Sequence, residues 1–315
     1  MAEAAAAAET PRHELWRGVG WAGFAYTIVG VQDAVAKWLT EGYSVFQLLL
    51  MRGLGAGLLL FAMILWAGWR PRWAARSDLA ALRGILNVFA WLCVFTSLRY
   101  IPLAEATALF FTTPLFVALL SGPLLGEPVG RLRLAATLVG FGGAVLIVQP
   151  TAAGVDPWML LALLGASCWS VSLIVTRKLG SLESPATVFA YSTAVFLLVG
   201  VPAIPVTWIT PVGWDLLLMA TIAVIGGLAQ LGIILGFRAA PAVILAPLEY
   251  TCLIWALIYG WAIWGDWPNG LAMLGALVIV ASGLFIVYRE ARVSRRQPRP
   301  LRPEGGAAEP GGPPP

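Results

Sequence analysis

The sequence predicts an all-α integral membrane fold of ten transmembrane helices, arranged as two inverted-topology repeats of five. Three observations predict it: apolar residues continue almost the length of the chain, cations gather in alternate loops, and the chain is internally duplicated. Of 315 residues, 59% are hydrophobic and 11% charged, against roughly 25% charged in a soluble globular domain. Water cannot be the solvent for that much apolar surface. A hydrocarbon core of about 30 Å takes roughly 20 apolar residues per helix, so the stretch from Trp16 to Tyr288 holds about ten spans.

In chain order, residues 1–16 are Ala-rich, carry Glu3 and Glu9, and lack the basic and apolar regions of a cleaved signal, so a disordered tail is expected. Polar or Pro/Gly breaks then delimit Arg17 to Lys37, Ser44 to Ala67, Asp78 to Leu98, Leu103 to Leu125 and Arg131 to Val148, which fill residues 17–149. The break from Gln149 to Asp156 precedes Pro157 to Arg177, Pro185 to Ile209, Trp214 to Phe237, Ala242 to Trp264 and Gly270 to Tyr288, which fill residues 157–288. Residues 289–315 are Arg-, Pro- and Gly-rich, a second tail expected to be disordered and able to touch anionic lipid.

With a cytoplasmic N-terminus, one side of this scheme collects Arg12, Arg17, Arg70, Arg72, Arg76, Arg83, Arg131, Arg133, Arg177, Lys178, Arg238 and the tail arginines. The other side receives only Lys37 and Arg99. The positive-inside rule expects such asymmetry, so the reading places both termini in the cytoplasm and the chain in a bacterial-type inner membrane. The net charge of +4 is a matter of topology, because the cations flank apolar stretches and form no basic patch for nucleic acid.

The duplication runs from Leu98 to Val148, which aligns without gaps to Phe237 to Val287 at a constant offset of 139 residues. In this register Arg99 meets Arg238, Pro102 meets Pro241, Thr112 meets Thr251, Gly126 meets Gly265, and Glu127 meets Asp266. Each half holds an odd number of spans, so the second copy enters the membrane from the opposite side, an architecture associated with secondary transporters.

The chain resembles the drug/metabolite transporter superfamily, specifically proteins with two EamA-type repeats. The resemblance lies in DAVAKWLTEGYSVFQLLLMRGLGA from Asp33, LRYIPLAEATALFFTTPLFVALLSGPLLGEPVG from Leu98, GFGGAVLIVQP from Gly140 and SLESPATVF from Ser181. It continues in FRAAPAVILAPLEYTCLIWALIYGWAIWGDWPN from Phe237 and LGALVIVASGLFIV from Leu274, and so extends over nearly all of both repeats. It implies ten helices, cytoplasmic termini, and a central cavity lined mainly by the first, third and fourth helices of each half. Similar proteins include exporters of amino acids and metabolites and a subgroup importing S-adenosylmethionine. The function expected is therefore secondary transport of a small organic metabolite by alternating access, the solute being amino-acid-like, amphipathic or S-adenosylmethionine-like. A membrane scaffold or sensor, and an intramembrane lipid-modifying enzyme, are the alternatives from other classes.

Ionisable groups inside a membrane are costly, so they nominate the pathway. Asp33 lies roughly 24 Å along the first helix from Arg17, with Lys37 one turn further. The two share a face, where they either neutralise each other or leave Asp33 to act with Arg52 of the second helix as an outer gate or carboxylate site. Arg99 and Glu105 complete an expected outer ring of alternating charge, Glu105 also complementing a helix N-terminus behind Pro102. Glu249, behind Pro247, is the deepest carboxylate, and its repeat-related position is the apolar Phe110, so the duplication does not account for it. It is expected to line the cavity and to bind a solute amine or a coupling proton. Asn87, Trp169, Gln230, Tyr250 and Tyr26 are candidates for aromatic faces and hydrogen bonds, although Trp and Tyr also form interfacial belts and amides also join helices.

No catalytic residue, cofactor or metal site is expected. The one histidine, His13, lies in the N-terminal tail, and Cys93, Cys168 and Cys252 sit singly in apolar segments without disulfide or metal spacing. The expected partners are a small solute and the lipid bilayer.

Overall fold

A computed structural model describes residues 12–68, 70–125, 131–150, 154–179, 182–239, 245 and 248–296. Both tails expected to be disordered lie largely outside them, as do Gly126, Glu127, Pro241 and Pro247. The regular elements of the described residues are helices, without a β-strand: α1 (Arg12–Thr40), α2 (Val45–Trp66), α3 (Ser77–Leu98), α4 (Leu103–Phe110), α5 (Thr113–Leu125) and α6 (Arg131–Val148). After the break come α7 (Pro157–Leu179), α8 (Pro185–Thr207), α9 (Trp214–Ala239), α10 (Thr251–Tyr259) with a π-helical turn at Gly260–Trp264, and α11 (Gly270–Arg296). Among the described residues eight stretches are long and apolar enough to cross a membrane, α4 and α5 counting as one, and Thr251–Trp264 adds a shorter apolar segment.

Local chemistry sets the boundaries. Ser44 caps α2 by accepting the Phe46 N–H at 3.3 Å, and Ser184 caps α8 by accepting the Thr187 N–H at 3.2 Å ahead of Pro185. The expected span from Leu103 to Leu125 is broken at Phe111 and Thr112. Pro114 has no N–H for the carbonyl of Phe110, and the Thr113 hydroxyl donates to that carbonyl instead, at 2.7 Å. The matching expected span from Ala242 to Trp264 also has a turn, at Tyr250, before α10. The hydroxyl of Thr112 donates to the Leu109 carbonyl at 2.7 Å, and that of Thr251 to the Leu248 carbonyl at 2.6 Å, two bonds related by the offset of 139 residues.

The main packing pairs exchange partners between the two halves. α1 packs on α9 as α3 packs on α7, α2 lies on α8, and α6 lies on α11. α1 also meets α10 as α7 meets α4 and α5. Close approach depends on glycine: a Cβ at Gly143 would stand 2.7 Å from the Gly275 carbonyl, and one at Gly55 would run into the carbonyl of Ala223. α1 and α9 are antiparallel, with Gly236 against Ala22, Gly232 against Ala25, and Gly226 against Gln32 and Arg52. The bundle encloses a core that includes Leu48, Leu49, Phe95, Leu103, Leu109, Ile222 and Ile279.

Candidate functional site

The polar side chains of α1, α2 and α3 meet where these helices are most buried. Arg52, 7% exposed, donates from Nη1 to Oε1 of Gln32 at 2.6 Å, and its guanidinium stacks 4.0 Å from the ring centroid of Trp91. There is room for it because α9 carries Gly226, where a Cβ would approach Arg52 Cγ to 3.0 Å. Arg52 is also the charge that faces Asp33, although no ion pair within 4 Å joins them.

On α1 and α3 at this centre stand polar atoms with no partner, Gln32 Nε2, Asp33 Oδ1, Asn87 Oδ1 and Trp91 Nε1, and a further one, Tyr250 OH, lies against Gly283 of α11. A buried donor or acceptor left unmade costs about 1–3 kcal/mol, and bilayer lipid offers no replacement. Four such atoms lie on α1 and α3, where a water has the polar partners it needs. Asn87 and Trp91 lie one turn apart on α3, so a single helix face carries two of them.

An aromatic group adjoins the polar one. Trp91, Phe110 and Trp169 form a triangle with centroid separations of 6.4, 6.3 and 6.3 Å, contributed by α3, the end of α4 and α7. The break after α4 is what places Phe110 and Phe111 here. Phe111 packs edge to face on Tyr250, with centroids 5.1 Å apart. Next to Tyr250, Glu249 is half-buried and acts electrostatically on Tyr26, Tyr250 and Cys252. Cys252 in turn donates its thiol to the Tyr26 carbonyl at 3.2 Å. Gln230 is half-buried on α9, one turn from Gly226.

At the end of the bundle where α1 and α3 finish, a second polar group joins the two halves. Lys37 does not pair with Asp33. Its ammonium donates to the Ile101 carbonyl at 2.9 Å and to Asp266 Oδ2 at 3.3 Å, and lies 5.2 Å from the Trp264 ring centroid. The π-helical turn and the left-handed Gly265, with φ of 71°, set Asp266 in place. Glu105 is half-buried among the fields of Asp266, Lys37 and Asp156 and faces a crevice of about 20 Å³, room for one water. At the same end, Tyr100 stacks on Trp158 at 3.8 Å and the side-chain amides of Gln149 and Asn269 pair at 2.9 Å.

The outer ring expected from sequence therefore changes membership. Asp33 belongs with Arg52 in the centre, Asp266 takes its place beside Lys37 and Glu105, and no ion pair within 4 Å joins Arg99 to Glu105. Arg99 is exposed and stands apart. Sequence reasoning missed Gln32, Trp91, Phe111 and Asp266. It also assigned Arg83 to the cationic flanks, whereas Arg83 is 6% exposed, donating to Thr176 Oγ1 at 2.7 Å and to the hydroxyl of Ser192. Among the described residues no His/Cys/Asp/Glu group could hold a metal ion.

A helical bundle with eight stretches among the described residues long and apolar enough to cross a membrane is a multi-pass membrane protein. Residues 16–149 and again 156–288 match the EamA-like transporter family, so the chain belongs to that family, within the drug/metabolite transporter superfamily. It is 27% identical over 280 residues to an S-adenosylmethionine uptake transporter of Rickettsia bellii, covering 89% of this chain and 96% of that one. It is 32% identical over 291 residues to a riboflavin transporter of Rhizobium johnstonii, covering 87% and 91%. A solved crystal structure superposes with a TM-score of 0.61 at 20% identity, covering 90% of this chain and 99% of that one, a likeness of fold. The protein is a small-metabolite transporter.

Proposed function

We propose that the chain is a secondary transporter and not an enzyme, working by alternating access through the region around Arg52, Trp91 and Glu249. The observation that carries this reading is the set of four unpartnered polar atoms on α1 and α3, one of them on Trp91 of the aromatic triangle. A scaffold would be expected to close those bonds within itself. In this reading the spans number ten: α1 is the first, the segment around α10 the ninth, and residues 17–149 and 157–288 are inverted five-helix repeats. The exchange of packing partners between halves and the two family matches support that arrangement. Both termini are cytoplasmic and the membrane is a bacterial-type inner membrane, as the cation asymmetry favours.

Within the family's range of solutes, the triangle of Trp91, Phe110 and Trp169 and the cation of Arg52 favour a flat, nitrogen-rich aromatic ring with a polar chain. S-adenosylmethionine and riboflavin both have that form, and transporters of both are among the relatives. Ring stacking contributes about 0.5–1.5 kcal/mol per pair, and the free amide and indole groups read the ring's donors and acceptors. Asp33, Asn87, Gln230, Glu249 and Tyr250 line the pathway, with Lys37, Glu105 and Asp266 as its outer closure.

The test is thermal stabilisation of purified protein by riboflavin, S-adenosylmethionine, adenosine and non-aromatic amino acids, since a ligand of the folded state raises the melting temperature. Stabilisation by the ring-bearing compounds, lost in Trp91→Leu, is expected. Stabilisation by amino acids alone would overturn the solute class, and no stabilisation by any compound at millimolar concentration would count against the site.

A further inference from the structure

The far-end contacts leave Arg99 unused. It caps α3, its guanidinium lies 5.9 Å from the Tyr100 ring centroid, and among the described residues no carboxylate lies within 4 Å of it. Beside it opens a cleft of about 520 Å³ between the start of α2, the end of α3 and the end of α8, in which Arg99 is the one charged lining residue. The lining is mixed: Phe46, Leu92 and Val206, the last 87% exposed, give it apolar surface, and Tyr43, Ser44, Thr96 and Thr207 give it hydroxyls. Two of these hydroxyls donate within their own helices, Thr96 to the Leu92 carbonyl at 2.6 Å and Thr207 to the Ala203 carbonyl at 2.8 Å. The Tyr43 hydroxyl donates to Asp215 Oδ2 at 2.8 Å, which also occupies the nearby carboxylate.

The cleft is layered. Leu92 lies seven residues before Arg99, about 10 Å down α3, so a cation at the helix end stands over an apolar wall that runs toward the membrane interior. At the membrane boundary, an apolar lip beside a guanidinium with no carboxylate partner is complementary to an amphipathic anion. We propose that this cleft holds one phospholipid, its phosphate on Arg99 and an acyl chain along Phe46, Leu92 and Val206. The ligand chemistry is a phosphate oxyanion joined to an alkyl chain, supplied by the surrounding leaflet. The site is independent of the transport pathway, because it uses the outer ends of α2 and α8 and none of the unpartnered polar atoms.

The experiment is native mass spectrometry of the full chain taken from phosphatidylethanolamine and phosphatidylglycerol nanodiscs. One retained phospholipid per protein is expected, with its occupancy reduced at least fivefold in Arg99→Gln and in Thr96→Trp, which fills the cleft. Both variants should elute like the parent protein, since Arg99 is exposed and ties no helices together. Equal occupancy in either variant, or no retained lipid in the parent, would overturn the proposal. Displacement of the lipid by millimolar inorganic phosphate would overturn the lipid as occupant and leave a free-oxyanion site.

Discussion

Phe111 and Tyr250 occupy the same place in the two halves, 139 residues apart, and pack edge to face on each other at 5.1 Å. Each sits at a helix interruption, and the threonine next to it bonds back to the carbonyl three residues before that threonine. The duplicated breaks therefore meet at the junction of the halves, next to Glu249. Because the pair is an inter-half contact, a double-mutant cycle of Phe111→Leu and Tyr250→Leu is expected to show a coupling of about 1 kcal/mol in thermal stability. Additive effects would place the two rings in separate environments.

The Lys37 contact to Asp266 crosses 229 residues of sequence and ties α1 to the turn before α11. Lys37 is 10% exposed and Asp266 37%, so the pair is partly screened and its coupling is expected at about 1 kcal/mol. Lys37→Met and Asp266→Asn should each change the rate of solute exchange in proteoliposomes severalfold. The swapped pair, Lys37→Asp with Asp266→Lys, should recover part of that change. A swap no better than either single variant would remove the contact from the gating process.

Helix contacts through glycine make a sharp contrast in stability. Gly55→Ala drives a methyl into the Ala223 carbonyl and should destabilise the protein by about 3 kcal/mol or more, read as loss of monodisperse protein and a lower melting temperature. Gly142→Ala meets nothing within 4 Å and should be neutral or slightly stabilising, given the better helix propensity of alanine. Equal outcomes at the two positions would contradict the packing of α2 on α9.

Much of the fold was legible in the sequence because lipid imposes a length and a composition on each crossing helix. Arg131–Val148 has the bounds expected, and most other spans differ by a few residues at their ends. The split of the fourth span was readable in principle, since Pro114 announces a freed carbonyl. The site was only partly legible. Arg52, Asn87, Trp169, Glu249 and Tyr250 were nominated as buried polar or aromatic residues, which sequence can show. Which of them meet is a long-range matter: Asp33 and Lys37 share a helix face, yet one turns to Arg52 and the other to Asp266. Gln32 was missed because an amide among aliphatic residues carries no spacing signal, and Arg83 because an arginine near a helix start looks like a topological flank.

Arg52 combines a bidentate-capable plane with a stack on Trp91, and lysine reproduces neither. Arg52→Lys is expected to keep the fold and to lower transport at least tenfold, measured as initial uptake against protein incorporated. Transport within twofold of the parent would assign Arg52 a packing role alone.

The measurement closest to the central claim is uptake of labelled riboflavin and S-adenosylmethionine into proteoliposomes carrying the parent protein or Glu249→Gln, at matched amounts of monodisperse protein. The account predicts saturable uptake of at least one of them by the parent and a loss of at least tenfold in the variant, whose melting temperature stays close to the parent's. Undiminished uptake by Glu249→Gln, or loss of uptake only in step with loss of folded protein, would contradict the placement of Glu249 on the solute pathway.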